Sequence, residues 1–196
     1  YPEKALSLPK VGSSHQLDYE KILGLKPDLV VGWMSGNPPE KIKRIESLGI
    51  PVFLSEPKSF EDIALTVERF AKLGASQEFA AKTLEGYRKG VSNLKQRYSG
   101  AKSVSVFYEI WNTPLMTLSG DHLFNHVLKL CGGSNIFSYV DALAPRVSSE
   151  DVLSLNPQVI LASGVDEKRP QWLDDWLRWP SMQAVKNKHL YHIHPD

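Results

Sequence analysis

The sequence predicts an α/β fold of two Rossmann-like lobes, each with a mainly parallel sheet, joined by one long α-helix. Three observations lead to this prediction. Helical segments alternate with apolar, strand-like segments, which is typical of parallel sheets covered by helices. A long helical stretch, residues 76–98, separates two such series. Residues 18–33, before this helix, match residues 148–163 after it.

The composition excludes several classes of function. The 196 residues include 23 Lys and Arg and 22 Asp and Glu, so the net charge is +1, without the basic footprint of a nucleic-acid binder. With 42% hydrophobic and 23% charged residues, the chain has enough apolar material for a core. No apolar run reaches the roughly 20 residues that span a bilayer. Cys131 is the only cysteine, which excludes an intramolecular disulfide and a zinc site built on several thiolates.

Proline and glycine residues delimit the elements of the first half. Pro27 ends a short helix, and Gly49 and Gly74 follow the ends of two longer ones. Ser59 is placed to cap the last helix, because its hydroxyl can accept a hydrogen bond from the first turn. The predicted helices are 18–25, 37–48 and 59–73, and the predicted strands are 28–33 and 51–55.

The stretch 76–98 carries one apolar stripe. Its spacings of 4, 3, 4, 3 and 4 follow a single helical face, formed by Ala80, Leu84, Tyr87, Val91, Leu94 and Tyr98. At 1.5 Å per residue, the helix is about 35 Å long. We therefore expect a surface helix, residues 75–99, that connects an N-terminal lobe, residues 1–74, to a C-terminal lobe, residues 100–196.

The second half repeats the alternation of helices and strands. The predicted strands are 103–110, 115–118, 158–163 and 188–194. The predicted helices are 121–130, 148–155 and 170–177, and residues 135–146 are expected to form a loop. Both lobes thus receive the same kinds of elements.

The internal repeat is the most informative feature of the chain. Residues 18–33 and 148–163 align without gaps at an offset of 130, which pairs Glu20 with Glu150 and sets two prolines opposite one another. Each copy reads as a short helix followed by a buried strand. Loop sequences of this kind also recur in unrelated proteins, but a packing unit does not require the shared glutamate. We therefore expect Glu20 and Glu150 at equivalent positions, one per lobe, on one face.

Two tryptophans mark a candidate ligand site. Trp33 follows a strand of the first lobe, and Trp111 follows a strand of the second lobe, just before a polar turn. Ligands of open α/β sheets bind outside the carboxyl ends of the strands, and aromatic walls with few polar groups are typical of ligand sites. We therefore expect both rings to line one cleft. Three later tryptophans are expected to pack in the core; they are Trp172, Trp176 and Trp179.

The histidines offer an alternative, a site for a first-row metal ion. His122 and His126 are four residues apart on a predicted helix, and His192 and His194 alternate on a predicted strand near Asp196. Lone histidine pairs are more often packing or surface residues than ligands. An enzyme has no support from the motifs, because the chain lacks phosphate-binding glycine loops and a nucleophile elbow.

Five stretches, in this order and spacing, resemble the substrate-binding proteins of ABC importers whose two lobes are joined by one long helix. They are DYEKILGLKPDLVVGW, ESLGIPVFLSEPKSFEDI, CGGSNIF, RVSSEDVLSLNPQVIL and WPSMQAVKNKHLYHI. Proteins of this class carry ferric siderophores, haem or cobalamin, and the likeness is closest to the cobalamin-binding members. The resemblance implies a binding protein without enzymatic activity or an intrinsic cofactor, and with cobalamin or another metal chelate as ligand.

The resemblance also implies which residues contact the ligand. Together with Trp111, they are Tyr1, Trp33, Asn112, Met116 and Asp196. Ser14 and Ala144 stand where the cobalamin-binding members carry pocket tryptophans. A related corrinoid, a ferric siderophore or haem is therefore an alternative ligand.

The two repeated glutamates gain a role from the same resemblance. Glu20 and Glu150 fall on the glutamates that dock onto arginines of the importer's membrane subunits. The implied partner is the permease dimer of an ABC transporter, and the implied protein is a periplasmic monomer that neither spans the membrane nor binds nucleic acid. The likeness begins after the first strand and helix of the first lobe and stops before the last helices of the second. We therefore expect both lobes to lack pieces and the signal peptide to lie outside this sequence.

Overall fold

The structure, a computed structural model, describes residues 3–13, 16–163 and 169–194. It divides into two compact units, Tyr1–Pro57 and Lys58–Asp196. The predicted α/β class with mainly parallel sheets is confirmed, because the two-stranded sheet of the first unit and the four-stranded sheet of the second are both parallel.

The first unit packs helices against one face of a small parallel sheet. Its elements are a 3₁₀ helix (Glu3–Ser7), α1 (Tyr19–Leu25), β1 (Val30–Trp33), α2 (Pro39–Ser47) and β2 (Val52–Ser55). Ile22, Ile45 and Ile50 form the core, which the half-buried Val30 and Val52 of the strands extend. Because side chains alternate along a strand, the opposite face of β1 carries exposed residues, among them Trp33.

The second unit is built around a four-stranded parallel sheet. Its elements are α3 (Phe60–Leu73), α4 (Gln77–Tyr98), β3 (Val104–Glu109), β4 (Trp111–Asn112), β5 (Leu115–Met116), α5 (Leu123–Leu130), β6 (Gly133–Asn135), α6 (Ser149–Leu155), β7 (Val159–Ser163), a 3₁₀ helix (Gln171–Arg178), α7 (Gln183–Lys186) and β8 (Leu190–Ile193). The strand order is β6-β3-β7-β8. β3 and β7 are therefore interior strands, and β4 and β5 form a separate antiparallel hairpin.

Aromatic side chains dominate the core of the second unit. The ring of Phe107 on β3 makes edge contacts with the rings of Phe137 and Trp176, at centroid distances of 5.8 and 5.6 Å. Trp176 is buried, and Trp172 and Trp179 pack against the same core. The expectation that these three tryptophans serve packing is confirmed.

The long helix α4 packs against α3 within the second unit. The Tyr87 hydroxyl donates to the carbonyl oxygen of Phe60 at 3.0 Å, and Arg88 pairs with Glu61 at 2.8 Å and with Glu68 at 3.0 Å. The length of α4 agrees with the prediction for residues 76–98. Its role as connector between lobes 1–74 and 100–196 stays a prediction. Among the helices of the described residues, none combines the length and apolar content needed to cross a membrane.

Two segments of the second unit differ from the sequence predictions. β6 lies where a turn and the start of a loop were expected, and it pairs in parallel with β3. Its sequence, Gly-Ser-Asn, has no strand pattern, so the strand depends on its pairing with β3. Its one buried side chain is polar, since the Asn135 amide donates to the Leu118 carbonyl oxygen at 2.8 Å. The predicted helix 170–177 is a 3₁₀ helix over Gln171–Arg178.

Candidate ligand-binding site

Trp33 projects from the first unit at the carboxyl end of β1. The residue is 58% exposed, although it ends an apolar strand. Its backbone N–H donates to the side-chain oxygen of Asn37 at 2.6 Å. Gly36 lies against the indole, because a Cβ atom at this position would overlap the ring. The turn after β1 therefore holds the ring outside the core of the unit.

A second set of contacts fixes the same turn. The Ser35 backbone N–H and hydroxyl donate to the two carboxylate oxygens of Glu56, at 2.8 and 3.1 Å. Glu56 directly follows β2, so its carboxylate joins the carboxyl ends of both strands. Sequence patterns did not single out Gly36, Ser35 or Glu56, since their role depends on the parallel pairing of β1 with β2. In the sequence, the signal for this turn is the Gly-Asn pair that follows Trp33 by three residues.

Trp111 presents a second exposed indole in the other unit. It opens the hairpin of β4 and β5, just beyond the carboxyl end of the interior strand β3, and it is 43% exposed. Its ring N–H donates to the carbonyl oxygen of Thr113 at 2.8 Å, which fixes the ring across the turn. Asn112 and Met116, which flank it in the hairpin, are half-buried. The hairpin therefore groups three of the predicted ligand residues.

A buried carboxyl group lies at the end of β3. Glu109 is 2% exposed, and its carboxylate accepts a hydrogen bond from the ring N–H of Trp176 at 2.7 Å. Burial raises the pKa of Glu109 from 4.5 to about 7; the Trp176 hydrogen bond opposes this rise, and the negative charge of Asp175 adds to it. The sequence signal for this buried group is a lone carboxylate inside the apolar run VFYEI.

A small cavity of about 190 Å³ adjoins this carboxyl group. We call it the Glu109 cavity. Its walls include Glu109, Asn112, Trp172, Asp175, Arg178 and Trp179. It therefore touches one predicted ligand residue, Asn112, and three tryptophans of residues 171–179 that no ligand prediction included.

Glu20 and Glu150 occupy the same place in the two copies of the repeat. Each is the second residue of a seven-residue helix, α1 or α6, and each is exposed. Asp18 and Ser148 cap these helices by accepting a hydrogen bond from the backbone N–H three residues on. The two glutamates therefore have the same position within their helices, and their placement on one face stays a prediction.

Some predicted ligand positions lie outside the described residues. These are Tyr1, Asp196 and Ser14. Ala144 is described and exposed. The ligand roles of Tyr1 and Asp196 stay predictions.

The histidines do not assemble into a metal site in the described part of the chain. His122 is the N-cap of α5, where its Nδ1 atom accepts a hydrogen bond from the Phe124 backbone N–H at 3.1 Å. The helix therefore begins after His122, which removes the helical pair with His126. The rings of His192 and His194 have centroids 6.3 Å apart. Within residues 3–13, 16–163 and 169–194, no group of three or more His, Cys, Asp or Glu side chains is placed to hold a metal ion.

Comparison with known proteins places the whole chain in one family. The model of the periplasmic binding protein family matches residues 1–196. A vitamin B12-binding protein of Vibrio campbellii is 33% identical over 199 residues, which cover 100% of this chain and 70% of that protein. A vitamin B12-binding protein of Yersinia pestis is 38% identical over 177 residues, covering 88% of this chain and 63% of that protein.

Solved structures agree with this assignment. The periplasmic vitamin B12 binding protein BtuF of Vibrio cholerae superposes with a TM-score of 0.87 at 32% identity, over 99% of this chain and 75% of that one. The periplasmic haem binding protein HutB of Vibrio cholerae has the same fold, with a TM-score of 0.80 at 20% identity, over 99% of this chain and 78% of that one. The chain belongs to the family of periplasmic binding proteins.

Proposed function

We propose that this chain captures cobalamin or a related corrinoid and delivers it to an ABC importer in the membrane. The observation that carries the proposal is the exposed indole at the carboxyl end of a strand in each unit, Trp33 in the first and Trp111 in the second. Large flat rings lose water favourably against such side chains, at about 25 cal/mol per Å² of apolar surface. The similarity to vitamin B12-binding proteins supports a corrinoid as the ring system.

The other proposed ligand residues are polar groups such as Asn112 and Asp196, which would orient the ligand, and Met116, which would add apolar contact. Asn112 and Met116 share the hairpin with Trp111, and we extend the ligand set to Tyr1 and Asp196 on the sequence resemblance alone. The ligand is bound and released without chemical change, in the periplasm.

Delivery depends on the exposed glutamates of the repeat. Glu20 and Glu150 each project from the first turn of a short helix, where a partner's side chain can reach the carboxylate. We infer that basic side chains of the permease dimer pair with both. Charge-assisted pairs at an interface cost about 2–5 kcal/mol when one member is truncated.

Fluorescence titration tests the capture role. We expect cyanocobalamin to quench the tryptophan emission of this chain saturably, at one ligand per chain. Trp33→Ala and Trp111→Ala should each weaken binding at least about tenfold, since indoles that become buried when a ligand binds are typical affinity hot spots. Phe79→Ala is the matched control, because Phe79 is an exposed aromatic residue on α4 that belongs to no predicted ligand set.

Haemin and a ferric siderophore serve as competing ligands in the same assay. Saturable binding of haemin with no binding of cyanocobalamin would show that the ligand is haem and not a corrinoid. Absence of binding by all three ligands would contradict a chelate carrier of any kind.

A further inference from the structure

The Glu109 cavity is too small for a whole chelate. Its volume of about 190 Å³ is below the roughly 300–1,000 Å³ of sites that enclose a complete ligand. It exceeds the roughly 30 Å³ of one water molecule several-fold. A single substituent of a larger ligand fits this range.

The walls of the cavity carry two carboxylates, those of Glu109 and Asp175. One neighbouring group already contacts each of them. The ring N–H of Trp176 donates to Glu109 at 2.7 Å, and the Arg178 guanidinium lies 3.8 Å from the Asp175 carboxylate. The same guanidinium also covers the ring of Trp179, at 4.8 Å from its centroid. A group that brings N–H donors complements such walls, whereas a further carboxylate does not.

The Glu109 carboxyl group itself would gain from such a donor. It is buried, no cationic side chain among the described residues forms an ion pair with it, and burial raises its pKa to about 7. The charged groups that share the cavity with it are Asp175 and Arg178. A neutral N–H donor satisfies the carboxylate without adding a second buried charge.

The cavity also adjoins the proposed ligand residues. Glu109 ends β3 two positions before Trp111, and Asn112 lines the cavity directly. A ligand on the Trp111 hairpin therefore has one of its edges next to the cavity.

We propose that the Glu109 cavity is a subsite for one primary amide side group of the bound chelate, with the Glu109 carboxylate as the hydrogen-bond acceptor. The inference rests on the proposed function, since a corrinoid carries primary amides around its ring. It makes Glu109 a residue that determines specificity between amide and acid forms of the ligand.

Calorimetric titration with amide-hydrolysed ligands tests the subsite. The ligands are cyanocobalamin and its monocarboxylic acid derivatives, each with one side-chain amide hydrolysed, at pH 8, where Glu109 is ionised. We expect one derivative to bind at least about tenfold more weakly than cyanocobalamin, because two carboxylates would then meet in a desolvated site. In Glu109→Gln, this penalty should shrink at least about fivefold, since the repulsion is gone.

Asp174→Asn is the matched control. Asp174 lies on the same 3₁₀ helix, is exposed and pairs with Arg169 outside the cavity. This variant should leave the ratio of the dissociation constants for cyanocobalamin and for the weakly bound derivative as it is in the unmodified chain. If Glu109→Gln does not fold by circular dichroism, Asp175→Asn replaces it, and the penalty should again shrink.

Four results would overturn the subsite. Binding of every derivative within about threefold of cyanocobalamin would do so, as would an unchanged penalty in the folded Glu109→Gln or Asp175→Asn variant. Tighter binding of a derivative would show that the cavity takes an anionic group, which pairs with Arg178. In these three cases cyanocobalamin still binds and the proposed function stands. Failure of cyanocobalamin itself to bind is the fourth result, and it overturns both proposals together.

Discussion

The two copies of the repeat, residues 18–33 and 148–163, have the same local structure but end in different surroundings. α1 and α6 have equal lengths, and each is followed by a residue with positive φ, Lys26 at 49° and Asn156 at 43°. β1, however, pairs with one strand and ends on an exposed indole, whereas β7 lies between β3 and β8. The repeat therefore encodes the short helix that exposes a glutamate, whereas the surrounding sheet differs between the two copies.

The glutamate that both copies of the repeat share leads to the largest expected effect. Glu20→Lys and Glu150→Lys should each lower cobalamin transport at least about tenfold, and together abolish it, since each interfacial pair contributes about 2–5 kcal/mol. The measurement is uptake of labelled cobalamin in cells or vesicles that hold the partner transporter. Ligand affinity should stay within about twofold, because both side chains project from exposed helix starts.

Charge reversal at other exposed glutamates is the control for this result. Glu46→Lys and Glu85→Lys change the net charge equally and lie on the exposed faces of α2 and α4. They should leave transport unchanged. An effect from only one of Glu20 and Glu150 would contradict docking through equivalent positions.

The buried carboxyl group at the end of β3 sharpens the contrast between the units, because the first unit exposes an indole at the end of its strand. The pKa of Glu109 rises from 4.5 in the unfolded chain to about 7 in the folded protein. The folded state therefore holds this proton more tightly, and the stabilisation is lost as pH rises from 4.5 through 7. The shift corresponds to about 3 kcal/mol of unfolding free energy.

Denaturant unfolding of Glu109→Gln isolates this contribution. The difference in unfolding free energy, variant minus unmodified chain, should grow by about 3 kcal/mol between pH 4.5 and pH 8. Groups that do not interact with Glu109 titrate alike in both proteins, so their contributions cancel in the difference. A difference that is independent of pH would show that Glu109 keeps an ordinary pKa.

The turn after β1 gives a smaller effect on the ligand side. In Gly36→Ala, the new Cβ would overlap the Trp33 ring, which must then move. We expect cobalamin affinity to fall about tenfold with the fold intact, since the ring is displaced and not removed. Gly24→Ala in α1 is the matched control, because a Cβ there meets nothing within 4 Å. Equal affinities in both variants would show that the position of the ring is unimportant.

How far the sequence predicts this molecule depends on the range of the interactions involved. Helix ends were predictable because caps are local: Ser59 and Ser148 each accept a hydrogen bond from the backbone three residues on. The burial of Glu109 was not predictable, since its hydrogen-bond partner Trp176 lies 67 residues away along the chain. β6 escaped prediction for the same reason, because only its pairing with β3 makes it a strand. At the candidate site, the two exposed indoles were predictable because they follow the ends of strands. The contacts that hold these indoles in place were not predicted.

The caps of the two repeated helices give the smallest effect and the sharpest comparison. Asp18 makes one capping hydrogen bond, to the Lys21 N–H at 3.0 Å. Ser148 accepts from the Asp151 N–H at 3.0 Å, and its hydroxyl also donates to the Asp151 carboxylate at 2.7 Å. Asp18→Ala should lower the unfolding free energy by about 1 kcal/mol. Ser148→Ala should lower it by about 1.5 kcal/mol, because both hydrogen bonds of the hydroxyl are lost, whereas the Ser148 backbone N–H still donates to the Asp151 carboxylate at 3.4 Å.

Urea unfolding followed by circular dichroism measures both changes. Ser154→Ala, an exposed serine within α6, controls for the loss of a hydroxyl and should change the unfolding free energy by less than about 0.5 kcal/mol. The reverse order, with Asp18→Ala the more costly, would mean that the charge of Asp18 near the positive end of α1 outweighs the second hydrogen bond at Ser148. In that case, the cap of the helix that presents Glu20 would weaken as salt concentration rises, whereas the serine cap of the helix that presents Glu150 carries no charge. The two proposed docking positions would then differ in the salt dependence of their caps as well as in their sheets.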